Sequence, residues 1–112
     1  MDVGNRNQRV QILSRVEARD DANDLVYSWQ PFGNRMWANI RHSSGLQLVK
    51  AGAERAVVKA SVRVAYRRDL ASGMRLQHGQ DVYEVEAALR DEEEREHTDL
   101  VCRLLTPAEA EA

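Results

Sequence analysis

The sequence predicts an all-β fold, a small barrel or sandwich of six or seven short strands. Apolar and polar residues alternate through most of the chain, which is the period of a strand with one buried face. Turn-forming residues separate these segments at short intervals. The 112 residues fit a single domain and leave no room for a second one.

The first three strands are separated by a polar turn and a proline. Residues 9–12 alternate as a half-buried strand, and residues 25–30 form a second strand that is rich in aromatic side chains. Residues 19–24 between them are polar and suit a turn. Pro31 lacks a backbone donor, so the second strand should end or bulge there. A third strand follows at residues 36–41, where the pattern does not show which face points to the core.

Strand alternation is equally clear in the second half of the chain. Strands are predicted at residues 62–67, 74–76, 83–87 and 100–104. Gly79 provides a hairpin turn, and residues 90–97 form a charged loop before the last strand. The chain is therefore expected to form one β-barrel domain over residues 1–107, followed by a frayed or weakly helical tail at residues 108–112.

Residues 43–59 interrupt the strand rhythm. The segment opens with a turn-like Ser43-Ser44-Gly45 and continues with alanine and aliphatic residues mixed with charges. This spacing permits a short helix, although Gly52 would cost about 1 kcal/mol relative to alanine in its middle. We predict a long, projecting loop here, and a loop of this length in a compact domain usually has a function or is mobile.

The net charge of −2 conceals an uneven distribution along the chain. Residues 1–80 contain 13 Lys and Arg against 7 Asp and Glu, whereas residues 81–112 contain 3 against 11. Such asymmetry can give one molecule a basic surface and an acidic surface. Alternatively, the strands interleave in space and the charges mix.

No motif in the sequence indicates catalysis, a cofactor or a metal. The three histidines lack metal-ligand spacing, and the chain contains neither a nucleophile elbow nor a nucleotide-binding glycine motif. Cys102, the single cysteine, lies in an apolar run and is expected to behave as a small hydrophobic residue. No apolar run reaches membrane-spanning length. We therefore expect a soluble protein that is not an enzyme and is made in a reducing cytoplasm.

One alternative from the residues alone is a barrel that binds single-stranded nucleic acid. Arg63, Arg67, Arg68 and Arg75 lie near Tyr66 in sequence, as in an OB-like barrel that stacks bases on aromatic rings. The mildly acidic overall charge disfavours this alternative, because a dedicated nucleic-acid-binding protein is usually basic.

The order of the segments along the chain resembles that of a known family. The relevant segments are N-Q-R-V-Q-I at residues 7–12, Y-S-W at 27–29, M-W-A-N-I at 36–40, S-G at 44–45, V-R-V-A-Y-R at 62–67, G-M-R-L at 73–76, G-Q-D-V-Y-E-V at 79–85 and L-V-C-R at 100–103. Together they resemble the phage head–tail joining proteins, also described as head-closure or stopper proteins of long-tailed phages. The resemblance extends over residues 7–104.

This resemblance implies a structural protein of the virion, assembled in the host cytoplasm and catalysing no reaction. By this resemblance, copies of the chain are expected to form a ring beneath the portal and adaptor proteins, close the DNA-filled head and dock the tail or tail-terminator protein. It also implies that the long loop faces the channel or an adjoining ring, near packaged DNA that is contacted without sequence specificity. The loop residues predicted to make these contacts are Ser44, Gly45, Leu46, Leu48, Lys50, Arg55 and Lys59.

Contacts between copies of the chain are expected to use the two charged regions. The basic candidates are Arg63, Arg67 and Arg75, and the acidic candidates are Glu84, Glu86, Glu92, Glu93 and Glu94. A head-to-tail ring brings two different faces of the subunit together, so opposite charges would guide its assembly. A tail-terminator or another neck component remains an alternative within the same class of protein.

Overall fold

The computed structural model describes residues 7–48 and 54–111. Within these ranges the chain forms seven strands and one short helix, which confirms the all-β prediction. The elements are β1 (Gln8–Arg19), β2 (Leu25–Pro31), β3 (Met36–Leu48), β4 (Glu54–Ala65), β5 (Arg75–His78), β6 (Asp81–Arg90), β7 (His97–Leu104) and α1 (Pro107–Glu111).

Six of the strands close into an antiparallel barrel in the order β1-β3-β4-β7-β6-β5, and β5 pairs back to β1. Strand β1 changes partners along its length. It pairs with β3 through residues 8–10, with β5 through residues 11–13 and with β2 through residues 13–19. Strand β2 is hydrogen-bonded to β1 and does not take part in the closure.

The barrel interior is lined by alternate residues of the wall strands, and in β3, where the pattern left the buried face open, Ala38 is the residue that faces inward. The fully buried apolar residues are Val10, Ile12, Ala38, Val62, Val64, Leu76, Tyr83, Val85, Leu100 and Cys102. Thr98 is also fully buried, and its hydroxyl both accepts from the Arg67 amide and donates to the Arg67 carbonyl at 3.0 Å. The interior is therefore apolar, and its buried hydroxyl is satisfied.

Two pairs of strands continue beyond the barrel wall as two-stranded arms. We define the β1–β2 arm as residues 14–19 and 25–30, and the β3–β4 arm as residues 43–48 and 54–58. The β3–β4 ladder continues as far as Leu48 and Glu54, whereas β7 pairs with β4 only from Lys59 to Ala65. Within the described residues, each arm has only its own two strands.

The prediction of a loop with helical tendency at residues 43–59 is therefore wrong for most of the segment. Residues 43–48 belong to β3 and residues 54–59 belong to β4. The remaining residues, 49–53, lie outside the described residues. The pattern was misleading because an arm that packs on no other strand does not need one apolar face, so the usual alternation is weak there.

The tail forms a short helix that two arginines of the barrel hold by hydrogen bonds. Pro107 occupies the first helical position, where its missing N–H is tolerated. Thr106 and Glu109 form a capping box, in which each side chain accepts a hydrogen bond from the other residue's amide. These hydrogen bonds, together with the neighbouring Arg103 guanidinium, lower the pKa of Glu109 to about 2. Arg75 donates to the carbonyls of Glu109 and Ala110 and so holds the end of α1.

We expect Leu100→Ala to destabilise the fold by about 2–5 kcal/mol, because it leaves a cavity in the centre of the barrel. The matched control is Leu89→Ala, at a position that is 58% exposed, and it should change the free energy of unfolding by less than about 0.5 kcal/mol. Urea unfolding followed by circular dichroism measures both values. Equal effects of the two substitutions would contradict the described core.

We also expect Cys102 to be inert towards thiol reagents in the folded protein. Burial raises the pKa of this thiol from 9.0 to about 12, which lowers its thiolate fraction at pH 8 by about 1,000-fold. Reaction with a disulfide reagent should therefore be slow in buffer and rapid in concentrated guanidinium chloride. Rapid labelling of the folded chain would show that the thiol is accessible.

Candidate assembly surfaces

The β3–β4 arm contains most of the residues that were predicted to contact the channel or an adjoining ring. Ser44, Gly45, Leu46 and Leu48 lie on its β3 strand, and Arg55 lies opposite Gln47 on its β4 strand. Lys50 lies outside the described residues. Lys59 stands at the base of the arm, where its ammonium group is 2.5 Å from a carboxylate oxygen of Glu86. The predicted contact residues thus follow one hairpin.

Two of the three basic candidates form ion pairs within the chain. The Arg63 guanidinium donates two hydrogen bonds to Asp99, at 2.8 and 3.0 Å, and these bonds raise the pKa of Arg63. Arg67 donates two hydrogen bonds to Asp69, which lower the pKa of that carboxyl. Both pairs are bidentate, the geometry that suits a guanidinium and a carboxylate.

The third basic candidate, Arg75, is held between the tail and an aromatic ring. Besides its bonds to α1, its guanidinium lies 4.2 Å from the ring centroid of Trp29. The structure therefore does not bring the three predicted arginines together. Arg63 lies on the outer face of β4, Arg67 follows β4, and Arg75 lies on β5.

Most of the acidic candidates also have partners in the same chain. Arg103 donates to Glu84 at 2.8 Å, and Glu86 is the partner of Lys59. A hydrogen bond from the Tyr66 hydroxyl lowers the pKa of Glu92, with smaller contributions from nearby arginines. The predicted acidic residues without an ion pair in the described part of the chain are Glu93 and Glu94, both exposed at the β6–β7 turn.

The basic and acidic regions of the sequence consequently interleave in space. Strand β4, from the basic region, is hydrogen-bonded to β7, from the acidic region, and Arg63 meets Asp99 across this ladder. Exposed ion pairs of this kind contribute little to stability. Their main effect is to neutralise much of the charge that the linear sequence assigns to opposite faces.

Sequence reasoning missed a group of exposed apolar side chains on the β1–β2 arm. Among the side chains that the structure describes, six large apolar ones are at least 40% exposed: Val16, Leu25, Val26 and Tyr27 on the arm, and Trp37 and Leu89 elsewhere. The sequence signal for the first four is their position beside the polar turn at residues 19–24. Residues next to that turn lie at the end of the arm that is remote from the barrel core. Trp37 points outward because its neighbour Ala38 occupies the interior.

The charged side chains of the main groove are engaged within the chain. This groove, of about 700 Å³, lies between the β1–β2 arm and α1, and its charged side chains include Arg75, Glu84 and Arg103, which are bonded to other groups of the chain. Among the described residues, no three His, Cys, Asp or Glu side chains are grouped so that they could hold a metal ion. No helix within the same residues is both long and apolar enough to cross a membrane.

Solved structures share this fold at low sequence identity. The solution structure of protein SF1141 from Shigella flexneri 2a is 21% identical with a TM-score of 0.69, and the alignment covers 96% of this chain and 99% of that one. A chain in the virion of a native gene transfer agent particle is 18% identical with a TM-score of 0.69, covering 88% of this chain and 94% of that one. A comparison with curated proteins gave no significant match.

A family model gives the decisive comparison. The model described as phage head completion protein matches residues 1–105, which include every strand of the barrel and both arms. This match confirms the resemblance seen in the order of the sequence segments. The chain therefore belongs to the phage head completion protein family, a family of structural proteins of the phage head.

Proposed function

We propose that this protein is a head–tail connector subunit, which forms a ring that closes the DNA-filled head and docks the tail. The observation that carries the proposal is the family match over residues 1–105. The similar fold in a gene transfer agent virion supports a place in the assembled particle. The protein would be assembled in the host cytoplasm, between portal or adaptor proteins on one side and the tail or its terminator on the other.

The β3–β4 arm is the element suited to reach into the channel or an adjoining ring. Its six paired residues on β3 extend about 20 Å at 3.3 Å per residue. A hydrogen-bonded hairpin holds its direction better than the predicted loop would. Of the predicted basic contacts, Arg55 belongs to the β4 strand of the arm, Lys59 lies at its base beside Glu86, and Lys50 lies outside the described residues. Their positive charge would suit contact with DNA phosphates without reading the bases.

Closure of the head by such a ring needs geometry rather than a reactive group. Each subunit would present one β3–β4 arm. Contacts that are weak individually become strong when many copies act together. The packaged DNA would then be held by a set of arms around one axis. This is a mechanical function, and it requires neither a cofactor nor a metal.

The charged residues predicted for subunit contacts would act mainly through bonds within their own chain. Arg63, Arg67, Arg75, Glu84 and Glu86 would order the outer surface that neighbouring copies meet, through their bonds within the chain. Glu92 would do the same at the β6–β7 turn. The exposed carboxylates of Glu93 and Glu94 remain available to a basic surface on a neighbour.

The contacts of Tyr66 give little support to the alternative of a single-stranded nucleic-acid-binding barrel. Its hydroxyl donates to Glu92 at 2.7 Å and lies 3.4 Å from the Arg68 guanidinium. A carboxylate beside the ring would repel a phosphate backbone. Two of the neighbouring arginines, Arg63 and Arg67, are bound to carboxylates as well.

The proposed role of the β3–β4 arm is tested by shortening it. Residues 47–55 are replaced by Asn-Gly, a two-residue hairpin turn that joins the paired residues Leu46 and Ala56. The variant should keep the barrel, with a thermal transition close to that of the wild type. Particles assembled with it should lose DNA or fail to carry tails, as seen by electron microscopy and nuclease protection.

The control for this deletion keeps the arm's length and changes its charge. The substitutions Arg55→Gln and Lys50→Gln should weaken DNA retention but leave tail attachment unchanged, if the arm contacts phosphates. An unfolded deletion variant would show that the segment belongs to the core. Particles that are fully active with the shortened arm would exclude a channel role.

Ring assembly should weaken as the salt concentration rises, because exposed charges guide it. Raising NaCl from about 0.1 M to about 1 M shortens the Debye length from about 10 Å to about 3 Å. The double substitution Glu93→Gln and Glu94→Gln should reduce this dependence, whereas Glu111→Gln in the tail should not. Sedimentation velocity measures the assembled fraction, and assembly that is indifferent to salt would contradict the charge-guided part of the proposal.

A further inference from the structure

The β1–β2 arm has the properties of a surface that is completed by another chain. Strand β5 pairs with β1 only through residues 11–13, and β3 pairs with it only through residues 8–10. Residues 14–19 and 25–30 therefore form a two-stranded ribbon whose outer backbone edges have no third strand within the described residues. A two-stranded hairpin on its own is marginally stable in water.

Both faces of this arm expose apolar side chains. Val16 and Val26 lie on the face that continues from the barrel interior, with exposures of 42% and 40%. Leu25 and Tyr27 lie on the opposite face, with exposures of 46% and 51%. Each face of this short ribbon therefore exposes two large apolar side chains, and clustered apolar exposure of this kind marks a protein interface.

The tip of the arm is acidic, and this charge limits what can cover it. Residues 14–30 contain two arginines and four carboxylates, a net charge of −2. Asp20 is used within the turn, where its carboxylate accepts from the amides of Ala22 and Asp24. Asp21 and Asp24 are exposed beside the apolar side chains. A matching surface must therefore be apolar and basic.

The chain itself presents such a surface on the outer face of β1 and β3, which we call the Trp37 patch. It consists of Trp37, Arg9, Arg35 and Arg41. Trp37 is 52% exposed, and the Arg9 guanidinium lies 5.2 Å from the centroid of its ring. Arg35 lines the same cleft as Arg9, and Arg41 is exposed on the Trp37 face of β3. Exposed Trp and Arg are the residues most enriched among energetically dominant interface contacts.

We propose that the β1–β2 arm of one copy docks on the Trp37 patch of a second copy. The apolar side chains on one face of the arm would cover Trp37, and the acidic tip would meet Arg35 and Arg41. The arm variant tested below changes one residue on each face, so it disables the contact whichever face docks. This inference rests on the proposed function, because it assigns the contact between neighbouring subunits of the ring. It adds an apolar centre to the charged contacts proposed above, and an apolar centre with a charged rim is the usual anatomy of a stable interface.

A single molecule cannot make this contact with itself. Arg9 and the end of the arm at Arg19 are ten residues apart on one extended strand, which is about 33 Å. Each copy therefore offers an arm at one end and a patch at the other. Such a contact is heterologous, and it generates a ring when the rotation between neighbours closes.

The test uses two variants that each disable one side of the contact. The arm variant is Val26→Ser with Tyr27→Ser, and the patch variant is Trp37→Ser with Arg41→Glu. All four positions are exposed, so both variants should fold. Self-association of the full chain is followed by sedimentation velocity and native mass spectrometry up to about 1 mM. Each variant alone should associate at least tenfold more weakly than the wild type.

Mixing the two variants tests whether the arm of one copy docks on the Trp37 patch of another. The patch variant has an intact arm and the arm variant has an intact patch, so together they should form heterodimers that do not grow further. A mixture that stays monomeric would overturn the proposal, as would a wild-type chain that is monomeric throughout the range. Leu89→Ser, exposed but outside both surfaces, should associate as the wild type does.

A charge exchange provides a second variant set that leaves every apolar side chain in place. Asp21→Arg with Asp24→Arg should weaken association, and mixing it with Arg35→Glu and Arg41→Glu should restore the contact. Rings that persist unchanged in the arm and patch variants would overturn this interface while leaving ring formation intact. Particles that are completed without the protein would instead overturn the proposed function.

Discussion

The partner change along β1 is the constraint on which the rest of the structure depends. An extended strand has two edges, and β1 divides them among β2, β3 and β5. At Leu13 both edges are used at once, by Pro31 on one side and Arg75 on the other. The barrel closes at this position, so only the first half of β1 belongs to its wall. The second half has to leave the barrel, and β2 leaves with it.

The same relation between strand length and barrel wall produces the second arm. Strands β3 and β4 pair over eleven residue pairs, but β7 accompanies β4 for only seven. The additional β3–β4 pairs have no other strand beside them within the described residues, and they extend outward. A subunit with a small closed core and two extended hairpins is suited to touching several neighbours at once, which is what a component of a phage head must do. The family assignment and the two extended hairpins are thus both consistent with a structural protein that contacts other proteins of the phage head.

The sequence predicts the barrel well because, in most wall strands, apolar residues of the buried face alternate with polar residues of the outer face. Val10 with Ile12 and Val62 with Val64 are interior pairs that the pattern identified. The β3–β4 arm escaped prediction because its strands pack on no sheet and so lack that alternation. The ion pair of Arg63 with Asp99 also escaped prediction, since it depends on the neighbourhood of β4 and β7, which local sequence does not encode. For the same reason the charge asymmetry of the sequence did not translate into two charged faces.

The location of the exposed apolar residues connects the stability of the subunit with its assembly. A chain of this length buries only about two-thirds of its unfolded surface, so some apolar exposure is expected. Random exposure would scatter such residues over the barrel, but four of the six large exposed ones among the described side chains lie on the β1–β2 arm. The barrel itself is complete, with an apolar interior and a satisfied buried hydroxyl. Among the described residues the deficit in burial is therefore concentrated on this arm, which no further described strand covers. Apolar surface that a single subunit leaves exposed at one site is most simply buried by a neighbouring subunit at that site. In the proposed ring of identical copies, every β1–β2 arm would meet the same surface.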